Sequence, residues 1–311
     1  MTAGSVVALD VGGTTMKGAI VGPDGATCGL LRRPTPHDRG PDAVVDAVGA
    51  TLGVLLEDAR RRGLEVAAAG VVVPGIVDEE RGVAVFSANL GWRDLPLRTL
   101  LEARTGLPVG FGHDVRAGAL AEATFGAARD VRDWLFVPVG AGIAGAVFVD
   151  GRLLVAGGYA GELGHLSVDP AGERCRCGGR GCVETVASGS ALARRYAART
   201  GRPVAGAAAV AAWVREGDPD AVAVWDDAVA ALAHGLAAAV ALVAPRLVVV
   251  GGGLAGSGDL LLRPLSEALL ARLSPGSARV PRLALAALGD QAGCLGAALL
   301  TRRALDAGAS P

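Results

Sequence analysis

The 311-residue sequence predicts an α/β protein, and three observations carry that expectation. Short apolar runs bounded by Gly, Pro and Asp alternate with longer stretches in which Ala, Val and Leu recur every three or four residues, the periods of strand and helix respectively. The N-terminal order reads β-β-β-α-β. A second round, beginning near residue 108, echoes it with another strand that runs into a glycine turn.

Val6 to Asp10 is apolar up to its last residue, Gly12-Gly13 permits a sharp turn, Met16 to Val21 is mostly apolar, and Pro23-Asp24-Gly25 turns the chain again towards a third strand. A helical pattern spans Pro41 to about Arg62, and Ala67 to Val73 reads as a buried strand. The second round comprises a strand Val-Gly-Phe-Gly at 109–112, a helix Val115 to Phe125 with Asp114 as its N-cap, and a strand Trp134 to Val139. A turn from Gly140 to Gly145 and a strand Ala146 to Val149 follow. Residues 157–189 are rich in Gly and read as loop. Ala-rich helices fill roughly 190–243, Arg246 to Val250 is a strand leading into Gly251-Gly252-Gly253, a helix runs from about Asp259 to Leu273, and the last helix starts near Gln291.

With 51% hydrophobic residues and a net charge of −1, the chain can bury one large core or two moderate ones, and it lacks the charge excess that brings proteins to nucleic acid or anionic membranes. Neither partner is expected. The N-terminal residues have no basic segment followed by an apolar one, and apolar stretches are interrupted well short of the ~20 residues a membrane helix needs. Five cysteines, three of them within eight residues, suit a metal site in a reducing, cytoplasmic setting better than a disulfide framework.

Cys175, Cys177 and Cys182 lie on a Gly-rich loop, where thiolates can converge on one ion, and His165 is the evident fourth ligand. A closed Cys3His set leaves no position for water, so the zinc it would hold is structural. Cys28 and Cys294 read as ordinary small buried or half-buried residues.

Asp10, Gly12, Gly13, Thr14 and Lys17 place a carboxylate, unobstructed backbone N–H groups, a hydroxyl and the chain's only lysine around one turn, the parts that hold a metal-bound triphosphate. A plain hairpin turn with an exposed lysine remains the competing reading. No Walker P-loop pattern occurs. Gly140-Ala-Gly142-Ile-Ala-Gly145 and Gly251-Gly252-Gly253-Leu-Ala-Gly256 match the dinucleotide fingerprint, but the first leads into a strand and the second lacks the acidic residue about twenty positions on.

Taken together, these segments resemble the ROK family of sugar kinases and their repressor relatives. The resemblance rests on Asp10 to Lys17, Val73-Pro-Gly-Ile-Val77, Asn89-Leu-Gly-Trp92, Gly161-Glu162-Leu-Gly-His165, the run Cys175 to Glu184, Gly251 to Gly253, and Asp290-Gln-Ala-Gly293. It implies a duplicated actin/hexokinase-type, ribonuclease H-like fold. The implied small lobe is 1–112 plus 290–311, the large lobe 113–289 with a zinc loop at 157–189, and sugar and ATP are expected between them. It implies an ATP-dependent hexose 6-kinase using Mg2+ and structural Zn2+, and a homodimer.

Residue by residue, the resemblance makes Asp114 the general base for the sugar's 6-hydroxyl, a role that fits phosphoryl transfer, where alignment and charge neutralisation do most of the work. It gives Asn89, His113, Glu162, His165 and Glu184 to sugar hydroxyls, with His165 shared between zinc and sugar. Gly140 and Gly142 join Gly252 and Gly253 in holding the nucleotide, and Asp10 holds Mg2+ through water. His113 stands where the family usually has Asn, and Ala141 where it usually has Thr. An imidazole that titrates near neutrality offers different hydrogen bonds from an amide, so a 3-amino sugar such as kanosamine competes with glucose as substrate. The alternative function is a catalytically silent sugar sensor. A DNA-binding repressor is not expected, since the first kinase strand begins by about residue 6.

Overall fold

The computed structural model describes residues 4–274, 276, 279–306 and 308. The chain divides into two compact units, Met1–Phe125 with Val155–Tyr159 and Asp290–Pro311, and Gly126–Leu154 with Ala160–Gly289. The division falls after Phe125 rather than after residue 112, because the helix that follows Asp114 packs within the first unit.

In the first unit, β1 (Ser5–Val11), β2 (Thr15–Val21) and β3 (Thr27–Pro34) form the expected meander, followed by α1 (Pro41–Arg61) and β4 (Val66–Val73). Three short strands, β5 (Ile76–Asp78), β6 (Val83–Ser87) and β7 (Trp92–Leu95), make a small antiparallel sheet of their own. Then come α2 (Leu97–Thr105), β8 (Val109–His113) and α3 (Asp114–Phe125). The main sheet has the order β3-β2-β1-β4-β8, antiparallel across the meander and parallel from β1 to β4 to β8. β8 therefore completes the first sheet; it does not open the second round, as the sequence pattern suggested.

In the second unit, β9 (Trp134–Pro138), β10 (Ala146–Val149) and β11 (Arg152–Leu153) form a second meander. A short helix α4 (Val183–Ala187) ends the segment read as loop, and the Ala-rich stretch is broken into α5 (Gly189–Thr200), α6 (Ala207–Glu216) and α7 (Pro219–Val243) before β12 (Leu247–Gly251), α8 (Asp259–Leu270) and β13 (Arg282–Leu285). The sheet order β11-β10-β9-β12-β13 repeats that of the first unit, with the same parallel and antiparallel pairings. The repeat is the duplicated arrangement expected of the fold. α7 is long and apolar enough, by those two measures alone, to cross a membrane; its buried residues, among them Val224, Trp225, Leu232 and Leu236, pack into the core of the second unit. Asp218 caps it by accepting the N–H groups of Asp220 and Ala221, with Pro219 pre-set for the first turn.

Strand alternation decides which face of the first sheet carries chemistry. Val7, Leu9 and Val11 join Val71 and Val73 in a core shared with Val44, Val48 and Leu52 of α1 and Leu97 and Leu101 of α2. Asp10 consequently falls on the opposite face. That face is covered by α9 (Ala292–Asp306), whose backbone approaches α3 so closely that a Cβ on Gly296 would lie 2.0 Å from the Ala117 carbonyl oxygen.

Candidate active site and metal centre

The β1–β2 turn is built to present backbone amides. Gly12 N–H bonds the Thr15 carbonyl at 3.0 Å, while Thr35, just past β3, donates its hydroxyl to Gly12 O at 2.7 Å and its N–H to Thr14 O at 2.9 Å. Thr14 is exposed at the tip, and Asn89 rests against the turn, its Cβ 3.1 Å from where a Gly13 Cβ would be.

Asp10 and Lys17 are cross-strand partners, and Lys17 is in turn paired with Arg32 of β3. The Lys17 ammonium lies 2.7 Å from Asp290 Oδ1, and Arg32 binds the other oxygen of the same carboxylate. The lysine expected to meet phosphate is thus held by a carboxylate, beside a cavity of about 470 Å³ that Thr27, Arg32, Asp290, Gln291 and Cys294 also line.

Gly293 stands directly over Asp10: a Cβ there would lie 2.3 Å from Asp10 Oδ2. Burial, and then the charge of Asp114, raise the Asp10 pKa to about 7 against the opposing influence of Lys17. Burial likewise raises Asp114 to about 6, opposed by the N–H of Val115 and the charge of Arg116. A buried carboxylate held this close to protonation is one that a divalent cation would drive to the ionised form, so Asp10 fits the Mg2+ role.

Asp114 is the first residue of α3, with its side chain 24% exposed and Oδ1 accepting the Val115 N–H at 2.7 Å. It therefore sits inside the helix, not before it as a separate cap. His113 is buried at the end of β8, and the expectation that it titrates near neutrality is corrected: burial, then the Arg116 charge, lower its pKa to about 3. Its Nδ1 lies 3.4 Å from the Arg116 N–H, which it accepts as a neutral ring with the proton on Nε2.

Glu79 and Arg116 were not singled out by the sequence. Arg116 is 1% exposed, and its Nε and Nη2 both lie 2.9 Å from Glu79 Oε1. The pair joins positions 37 apart in sequence, and only the packing that sets β5 beside β8 brings them together.

In the second unit, the two glycine turns interlock. Val139 donates its N–H to Gly251 O at 2.9 Å and accepts that of Leu254 at 3.0 Å, so the segment with Gly140 and Gly142 lies alongside the one with Gly252 and Gly253. Gly252 has φ 73° and a Cβ there would lie 2.5 Å from Val139 O, two reasons for glycine at one position. Glu184, in the first turn of α4, accepts the Ile143 N–H at 2.8 Å, so this carboxylate braces the first of these turns.

His165, Cys175, Cys177 and Cys182 converge, with all four ligand atoms within 4.8 Å of one another. Cys175 Sγ is 3.6 Å from His165 Nδ1 and Cys177 Sγ is 3.7 Å from Cys182 Sγ. A tetrahedral zinc with bonds of about 2.3 Å separates its ligand sulfurs by about 3.8 Å, so the four fit that ion closely. Nδ1 faces the thiols, and Nε2 lies 3.6 Å from exposed Glu162.

Comparison with known proteins matches the ROK family over residues 6–304. The chain belongs to the ROK family. Among its ROK relatives, the glucokinase of Streptomyces coelicolor is 34% identical, with 96% of this chain and 98% of that protein covered. The N-acetylmannosamine kinase of Citrobacter koseri is 36% identical, covering 96% and 99%. The crystal structure of a ROK family glucokinase from Streptomyces griseus in complex with glucose and AMPPNP superposes with a TM-score of 0.86 at 31% identity, covering 96% of this chain and 100% of that one. The two-unit fold is accordingly of the actin/hexokinase-like type found in ROK glucokinases.

Proposed function

We propose that this ROK protein is an ATP-dependent hexose 6-kinase that transfers the γ-phosphate of ATP to the 6-hydroxyl of glucose. The observation that carries the reading is Asp114, a half-buried carboxylate at the β8–α3 junction whose pKa of about 6 suits a base working near neutrality. Asp114 accepts the proton of the attacking hydroxyl. Backbone amides of the Gly12-Gly13 turn, with Thr14 and Lys17, hold phosphate oxygens, and the Gly140, Gly142, Gly252 and Gly253 amides hold the remainder of the nucleotide. Mg2+ held by Asp10 through water would neutralise phosphate charge. Asn89, His113, Glu162, His165 and Glu184 take the sugar hydroxyls. Zinc at His165, Cys175, Cys177 and Cys182 would orient the His165 ring and the loop that carries it.

Between glucose and kanosamine, the electrostatics around His113 favour glucose. A neutral ring whose Nδ1 accepts the Arg116 backbone N–H presents an N–H donor, which suits a hydroxyl oxygen and offers an ammonium no acceptor. A coupled ADP-release assay with glucose, mannose, N-acetylmannosamine and kanosamine tests the reading. Turnover highest with glucose supports it, whereas a clear preference for kanosamine refutes the electrostatic argument. Sugar binding without any turnover refutes the kinase and leaves a sugar sensor. Homodimerisation, the family expectation, is checked by size-exclusion chromatography with light scattering.

A further inference from the structure

We propose that Glu79 and the buried Arg116 form a positioning pair that fixes the orientation of Asp114 and the electrostatic field in which it acts. The proposal rests on the assignment of Asp114 as the base.

Glu79 follows β5 in a loop that α2 clamps from outside. Arg98 donates to the carbonyl oxygens of Glu79 and Glu80, at 2.5 and 3.0 Å, and its own N–H bonds Gly82 O. The backbone of the loop is thereby fixed, and its one inward carboxylate becomes the anchor. Glu79 Oε1 accepts the Arg116 Nε–H at 2.9 Å, with the charged Nη2 at the same distance, and the His113 backbone N–H approaches that oxygen at 3.4 Å. Arg116 Nη1 reaches the Gly158 carbonyl at 3.3 Å, where Val155–Tyr159 crosses β5; a Cβ on Gly158 would lie 2.6 Å from Val77 O. His113 and Arg116, on either side of Asp114, are thus both tied to one oxygen, so the first turn of α3 cannot rotate the carboxylate without breaking the ion pair of a buried arginine.

The charge follows the same wiring. The charge of Asp114 raises Asp10 of β1, which is paired with Lys17 of β2, and Asp114 itself has His113 of β8 3.4 Å from Oδ1 and Arg116 on its own helix. Arg116 is the buried cation of this set, and Glu79 is its counter-ion. Removing a buried partner leaves the other charge uncompensated, which disturbs its neighbours more than the pair itself stabilises the fold.

Arg116→Gln, Arg116→Lys and Glu79→Gln, each checked for a cooperative thermal transition, are assayed with glucose and ATP at saturating Mg2+ across pH. Arg116→Gln is expected to lower kcat about ten- to a hundredfold with little change in KM for ATP. It is also expected to move the acid limb of kcat/KM upward by about half a pH unit or more, because the cation that favours ionised Asp114 is gone. Glu79→Gln, which leaves that cation unbalanced, is expected to move the limb downward. Arg116→Lys is expected to return the limb towards the wild-type position without restoring full kcat, since an ammonium carries the charge but not the fork. If Arg116→Gln does not fold, Glu79→Gln decides alone. A limb that stays in place in every folded variant overturns the proposal. Asp114→Asn serves as the control: full turnover there refutes the base assignment itself, whereas an inactive Asp114→Asn with unmoved limbs in the other variants refutes only the pair.

Discussion

Replacing Asp114 with Asn exchanges a carboxylate for an amide of the same shape, and the structure predicts opposite effects on activity and stability. Folding raises the Asp114 pKa from 3.8 to about 6, chiefly through burial. At about 1.4 kcal/mol per unit, keeping this group ionised opposes folding by roughly 3 kcal/mol above neutrality. The sign follows from the raised value: the stabilising contribution is complete below the unfolded pKa near 3.8, declines as pH rises, and is lost above the folded pKa near 6. The amide has no charge to desolvate, so at about pH 8 without Mg2+ the variant should melt roughly 5 °C or more above wild type. The gap should shrink as the buffer is taken through 6 towards 4. Turnover should meanwhile fall by about a hundred- to ten-thousandfold, the usual contribution of a general base. Differential scanning fluorimetry across pH, paired with the coupled ADP assay, measures both. Equal melting temperatures at pH 8, or a variant that keeps wild-type kcat, would refute the reasoning.

Three further outcomes are expected. With wild-type protein at saturating Mg2+, log kcat/KM for glucose should fall with unit slope below about pH 6, because Asp114 must be ionised to accept a proton; a flat profile down to pH 5 would contradict its assignment. Gly293→Ala should reduce kcat about tenfold or more, since the new methyl must displace the Asp10 carboxylate from 2.3 Å; unchanged kinetics in a folded variant would show that Asp10 can move without consequence. Cys182→Ser should lower bound zinc well below one equivalent by elemental analysis and lower the melting temperature, with a larger rise in KM for sugar than for ATP; full zinc occupancy would remove His165 and the thiols as the ligand set.

Some of these features could be read from residue order alone and some could not. The first hairpin is legible because Asp10, Gly12 and Gly13 end an apolar strand, and the metal cluster because three cysteines fall within eight residues of a glycine-rich loop. β5, β6 and β7 escaped notice because strands of three to five residues around Gly75, Gly82 and Gly91 are too short to show a period of two. The pairing of β8 with β4 is not legible, because a pattern shows that a strand exists and not which neighbour it pairs with. The protonation of His113 and the whole of the Glu79–Arg116 pair depend on burial and on register between distant segments, which no local spacing encodes.

The identical strand order of the two five-stranded sheets implies that the molecule carries this meander twice, and the two copies differ in what they hold. From Trp134 to Phe148 the second meander carries no ionisable side chain, whereas its counterpart keeps Asp10 and Lys17 at matching stations. One copy holds the acid and the cation; the other offers bare peptide groups. Grafting a carboxylate onto the bare hairpin should therefore add repulsion towards an anionic ligand and no new reactivity, because the surroundings that tune Asp10 exist in only one of the two copies.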